Sequence, residues 1–236
     1  MEKISYQRLL GFVLGAMLLS FSILFLEKDS NRIIYEGTFA CDSYAKMQIT
    51  KVVELQNEYN NKDIIGYLIV PGTSISEPVL QGSDNSFYLS HGIDKKKNMV
   101  GSVYLDYRMV INKEKNIIYS HNSSSLDVPF KDLEKYYDEK FYEKNKYIYL
   151  EDKENKWQYQ IFSVFVETSD WGYMDNNLTK DKWLSHLKKL KSKSWYETGG
   201  KLSEDDEILI LQTCSHHKKY KKYKNKYLLV CAKKIK

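Results

Sequence analysis

From Ile64 onward the chain is a succession of short runs of β-branched and aromatic residues, each cut off by polar or turn-forming residues. That pattern restricts the fold to one built largely of strands. The runs fall at 65–70, 75–80, 101–106, 116–120, 147–150, 158–168, 208–213 and 227–233. Pro71-Gly72 stops the first, and Pro78 marks the second as an edge or a bulge. Two segments follow the helical period instead. In 129–145 the apolar residues Phe130, Leu133, Tyr136, Tyr137, Phe141 and Tyr142 recur at helical spacing. In 179–192 the stripe is Trp183, Leu184, Leu187 and Leu190, with Thr179 or Asn177 as cap and Asp181 in the first turn. His186, on the same helix, is expected at the surface. The 20 tyrosines against 9 phenylalanines suit strands with one face buried and hydroxyls reaching water. About eight strands at irregular spacing, with two or three helices, predict a mainly β fold. A closed or nearly closed antiparallel-type barrel with peripheral helices fits this count.

The N-terminus follows a different pattern. Residues 9–26 are uncharged and apolar, near the lower limit for spanning a bilayer. Lys3 and Arg8 precede them, and Glu27, Lys28 and Asp29 follow. The spacing predicts a cytoplasmic tail (1–8), a transmembrane anchor (9–26), helices leading away from it (27–62) and a folded domain (63–236) outside the membrane. The expected location is therefore the cell membrane, single-pass, with the C-terminal domain extracellular. A cleaved signal peptide is the alternative, but no A-x-A-like site precedes Glu27.

The formal net charge of +5 is carried almost entirely by lysine; the arginines are Arg8, Arg32 and Arg108. With no arginine cluster and no known motif, nucleic acid is not expected as a partner. A lysine excess favours anionic surfaces. Three cysteines, Cys41, Cys214 and Cys231, leave at least one thiol unpaired within the chain. No metal site and no cofactor are expected. His216 and His217 are adjacent, so on an extended chain they point to opposite faces. The acidic run 204–207 reads as a solvated turn.

Cys214 closes an apolar run at Gln212-Thr213-Cys214-Ser215, where a buried strand reaches the surface. His121 stands at the end of another, in Ile117-Ile118-Tyr119-Ser120-His121-Asn122. A thiol and an imidazole at two strand ends are the parts that cysteine acyl transfer requires. The imidazole raises the thiolate fraction and later protonates the leaving amine. A donor for the oxyanion is also needed. Cys231, inside Leu228-Leu229-Val230-Cys231-Ala232, reads as a structural thiol, and His91 is the rival imidazole.

At these residues the chain resembles the sortases, and class B among them. Their signature Thr-Leu-x-Thr-Cys stands here as Ile210-Leu211-Gln212-Thr213-Cys214, with Ile in the first place. The histidine motif matches 118–122, and further likeness runs through 65–68, 78–85 and 101–108. A helix ahead of the cysteine strand is similar to an insertion typical of class B. The resemblance implies an eight-stranded sortase-type β-barrel with N-terminal helices and a helix inserted before the penultimate strand. It implies a membrane-anchored cysteine transpeptidase of Gram-positive bacteria. Such an enzyme cleaves a five-residue sorting signal, usually after its Thr, in an exported surface protein. The thioester is resolved by an amine of the peptidoglycan cross-bridge or its precursor. By the same resemblance Cys214 is the nucleophile and His121 the acid/base, with Thr213, Leu211 and Tyr227 at the substrate.

One departure concerns the family's arginine on the last strand. No arginine follows Arg108, and a gapless match puts Tyr227 at that position. Lys226, one residue away, is favoured for the role, given a bulge or register shift; lysine supplies charge without the planar fork. The alternative is a catalytically weak, sortase-shaped module that binds surface proteins or wall polymers. A papain-type hydrolase would need its Cys on an early helix before the His, the reverse of the order here.

Overall fold

A computed structural model describes residues 50–235, all within one compact unit spanning 47–236. The elements are α1 (Lys51–Glu58), β1 (Ile64–Ile69), β2 (Ser76–Leu80), β3 (Val103–Leu105), β4 (Lys115–Tyr119), α2 (Glu139–Lys144), β5 (Tyr147–Glu151), β6 (Lys156–Glu167), α3 (Lys180–Ser192), β7 (Ile208–Cys214) and β8 (Tyr227–Lys234). The eight strands close into a barrel in the order β1-β2-β3-β4-β7-β8-β6-β5. The mainly β fold with few helices is as the sequence predicts, including α3 just before the penultimate strand.

The barrel is not purely antiparallel. β2 pairs parallel with β3, and β4 pairs parallel with β7. The second pairing positions the site. Parallel neighbours end at the same edge of a sheet, so the residues just after β4 and those at the end of β7 emerge together. Pro78 pairs with Tyr67 of β1, while only Val79 and Leu80 continue to β3. Pro78 thus lies on a stretch of β2 with a single strand neighbour, where proline is tolerated.

The main core gathers residues from both faces of β4, β7, β8 and β6, among them Ile117 and Ile210 on one face and Val230 and Val164 on the other, all with no exposed surface. Each such side chain stabilises the fold by about 1.5–3 kcal/mol. A smaller cluster joins Val52 and Leu55 of α1 to Ile64, Leu80, Tyr88 and Tyr104. Thr50 caps α1 by accepting from the Val53 amide.

Three local expectations are corrected. The segment 129–145 is not one α-helix: Lys131–Tyr137 is a 3₁₀ helix, and Asp138 is extended and caps α2 by accepting from the Lys140 amide. A 3₁₀ turn stacks residues three apart, which here buries Leu133 and Tyr136 together. His186 is not a surface residue. It is buried on α3 beside Trp183 and Trp171, with Lys115 of β4 at its ring. Burial, with Lys115 nearby, pushes the imidazole down to about 3.

The third correction is the membrane location. Among the described residues no helix is long and apolar enough to cross a membrane. The longest of the described helices, α3, has 13 residues and is amphipathic, so the expected single-pass location with an extracellular C-terminal domain is not supported. The expected anchor at 9–26 lies outside the described residues, as does most of the stretch 27–62.

Candidate active site

Register assembles the site. In the β4–β7 pair Tyr119 stands opposite Gln212. The ladder continues past the strand end: the Ser120 amide donates to Gln212 O at 3.4 Å, and Thr213 Oγ1 donates to Ser120 O at 2.8 Å. Carried one residue further, the same register directs the His121 backbone toward Cys214. Asn122 Nδ2 closes this edge by donating to Cys214 O at 2.8 Å. On the other side Cys214 pairs with Tyr227 of β8, and Tyr227 pairs with Glu167 of β6. Cys214, Tyr227 and Glu167 thus form a row across β7, β8 and β6 at one rim, with His121 two residues past the end of β4.

The thiol of Cys214 is exposed at that rim. The surrounding protein partly desolvates it and pushes its pKa above the ordinary thiol value; the charge of Lys226 pulls the other way. The resting side chain is therefore a thiol at neutral pH and needs a base. Leu211 and Thr213, expected at the substrate, are both buried, Leu211 in the main core and Thr213 with its hydroxyl on β4.

His121 is half-buried and held by its Nε2, 2.8 Å from the carbonyl of Leu89. A carbonyl can only accept, so Nε2 carries the proton and Nδ1 is left for exchange with another group. Leu89 belongs to a 3₁₀ turn, Phe87–Leu89. Behind that turn Gly101 takes φ +63°, and a Cβ there would come within 2.6 Å of Leu89 O and 2.8 Å of Tyr88 O. Only glycine lets the chain pass this close to the carbonyl that orients His121. The rival imidazole, His91, stacks on Phe87 at 4.0 Å and bonds Phe87 O through Nδ1.

On the β8 side, Tyr227 is the direct cross-strand partner of the cysteine, so both side chains lie on one face. Lys226 is one step further along. Its carbonyl accepts from the Ser215 amide, and its Nζ donates to Tyr223 O at 3.2 Å. A cavity of about 200 Å³ opens beside Tyr227, walled by residues of the β6–α3 connection, including Tyr173 and Met174.

Sequence reasoning missed the support behind the cysteine. Glu134 Oε1 accepts from Asn122 Nδ2, the His216 amide and the Tyr137 hydroxyl. Tyr137 Oη also hydrogen-bonds Ser215 Oγ at 2.8 Å. One carboxylate of the 3₁₀ helix thus ties the residues after His121 to those after Cys214. No spacing in the sequence marks Glu134, because its partners lie in two remote loops. Among the described residues no group of three His, Cys, Asp or Glu is placed to hold a metal ion.

Residues 68–234 match the family model described as Sortase domain. Sortase B of Listeria monocytogenes is 34% identical over 165 residues, which cover 69% of this chain and 67% of that protein. The Staphylococcus aureus sortase B–substrate complex superposes with a TM-score of 0.70 at 31% identity, covering 78% of this chain and 84% of the other. A sortase B complexed with triglycine superposes with a TM-score of 0.71 at 30% identity, covering 81% and 89%.

Proposed function

Because this chain belongs to the sortase family, in its class B branch, and is a sortase-type transpeptidase, we propose that it works through a thioester on Cys214, with His121 as acid and base. The observation that supports this reading is the parallel β4–β7 register, whose continuation past Tyr119 and Gln212 runs the backbone of His121 toward that of Cys214.

The chemistry follows from these residues. His121 Nδ1 takes the thiol proton as Sγ attacks a peptide carbonyl. The C–S bond forms and the carbonyl electrons move onto oxygen. Collapse expels the downstream amine, which takes the proton from the imidazolium. An incoming amine then attacks the thioester, His121 removes its proton, and Sγ leaves as the thiol. A neutral thiol at rest favours this proton-coupled attack over a standing thiolate. Tyr227 donates a hydrogen bond to the oxyanion, and Lys226 contributes positive charge from the adjoining loop; together they take the part of the family's arginine. A phenol gives one donor where a guanidinium gives a fork, so acylation is expected to be slow for a sortase.

The substrate is proposed to be a surface protein bearing a five-residue sorting signal, cleaved after its Thr. The acceptor is an amine of the peptidoglycan cross-bridge or its precursor. The sortase B structures with a substrate and with triglycine support both halves of this proposal. The test is to incubate the protein with five-residue peptides carrying Thr at position four, with and without triglycine. A peptide–triglycine product is expected only when both are present. Binding of the peptides with no cleavage and no product would favour the binding-module reading, for which the absent arginine speaks.

A further inference from the structure

The connection 168–179 between β6 and α3 carries Tyr173 and Met174 into the cavity beside Tyr227, yet it forms no helix or strand of its own. Its conformation rests on side chains at its two ends. At the start, Glu167 Oε1 accepts from the amides of Thr168 and Ser169 and from the Ser169 hydroxyl. Its Oε2 takes the Trp171 indole N–H and pairs with Lys193 at 2.8 Å.

The far end is held from β4. Lys115 is only 6% exposed. Its Nζ donates to Tyr173 O, to Asp175 O at 2.8 Å and to His186 Nε2 at 3.2 Å. An ammonium has three N–H groups, and here each meets one acceptor. His186 must be neutral with its proton on Nδ1 to accept, which agrees with its lowered pKa. Burial pushes Lys115 down to about 8, so it remains charged at neutral pH. A buried ammonium is tolerated only when paired in this way. Without it, the Tyr173 carbonyl and an imidazole lone pair are buried with no donor, and the part-buried Asp175 carbonyl loses its bond to Lys115.

We infer that Lys115 is a positioning residue for substrate binding: by clamping Tyr173 O and Asp175 O it holds the 168–178 wall against the peptide that reaches Cys214. It touches no substrate itself. This rests on the proposed substrate site at the rim, and the test separates the two.

Two quantities are read in the full chain. Peptide affinity is measured by calorimetry in a Cys214→Ala background, so turnover is not needed. Amide hydrogen exchange is followed over 169–178. Lys115→Met is expected to weaken the affinity for the five-residue peptide roughly tenfold and to speed exchange over 169–178 by a similar factor. In the chain with its cysteine, alkylation of Cys214 by iodoacetamide and kcat stay within about threefold of the parent while KM rises. Unchanged exchange overturns the clamp. Faster exchange with unchanged affinity and KM overturns its role in substrate binding. If Lys115→Met does not fold, His186→Leu decides: it removes one acceptor of three and is expected to give a smaller effect in the same direction, and no effect overturns the inference. Failure of the parent chain to cleave the peptide would count against the transpeptidase reading and leave the affinity and exchange readouts intact.

Discussion

Cys214 pairs with Tyr227 in the same ladder in which Cys231 pairs with Ile210. Both thiols stand on neighbouring strands, yet one is exposed and the other has no accessible surface. Burial raises the pKa of both, and a lysine opposes the rise at each, Lys226 of the adjoining loop at Cys214 and the buried Lys115 at Cys231. The thiol of Cys231 is packed among β6, β7 and β8 and cannot meet a substrate. Reactivity is therefore set by position along the strand rather than by residue type. The end of a strand gives access to solvent; the middle gives only packing.

The sharpest way to break this contrast is to remove each sulfur in turn. Cys214→Ala should abolish peptide cleavage, a loss on the order of 10⁴-fold or more. Cys231→Ala should leave kcat within about threefold and cost about 1–2 kcal/mol of stability by denaturant titration, since it leaves a small cavity. Equal activity in both variants contradicts the account. Replacing His121 by Ala should lower kcat by roughly 10²–10⁴-fold, the range for a general acid–base group, and flatten the pH–rate profile.

Smaller changes sharpen the comparison on the β8 side. Tyr227→Phe deletes one hydroxyl and should lower kcat by about 10²-fold with little change in KM, the signature of a donor used in the transition state. No change would remove Tyr227 from the oxyanion. The smallest effect concerns the thiol's titration. Iodoacetamide should alkylate Cys214 in the native protein and Cys231 only after unfolding. The alkylation rate should rise with pH through a midpoint above the ordinary thiol value, because desolvation disfavours the thiolate. Lys226→Met removes the opposing charge, so the midpoint should move higher and the rate at pH 8 should fall a few-fold, on the order of twofold to fivefold. A faster rate in that variant would reverse the assigned sign.

Much of this was legible before any coordinates. Apolar runs ending near Cys214 and His121 mark two strand ends, and short β-branched and aromatic runs mark the barrel strands. Periodicity reports which face is buried but not which strand lies alongside. The parallel β4–β7 pair was therefore hidden, although it does most to bring the two residues together. Asp138 could have been read as a cap that breaks the 129–145 helix. His186 lies three residues from Trp183, on the buried stripe, and was assigned to the surface on polarity alone. Lys115 and Glu134 left no signal, because their partners are backbone groups and side chains of remote loops. A gapless count puts Tyr227 at the arginine's place, and the register sets Tyr227 directly across from the cysteine.

The most direct measurement is the intact mass of the protein, quenched in acid during incubation with the five-residue peptides and no acceptor amine. An adduct equal to the peptide's N-terminal fragment should appear, map to the segment containing Cys214, and vanish with hydroxylamine. An adduct that persists in Cys214→Ala, or cleavage of the peptide with no acyl group ever found on that sulfur, would contradict the account.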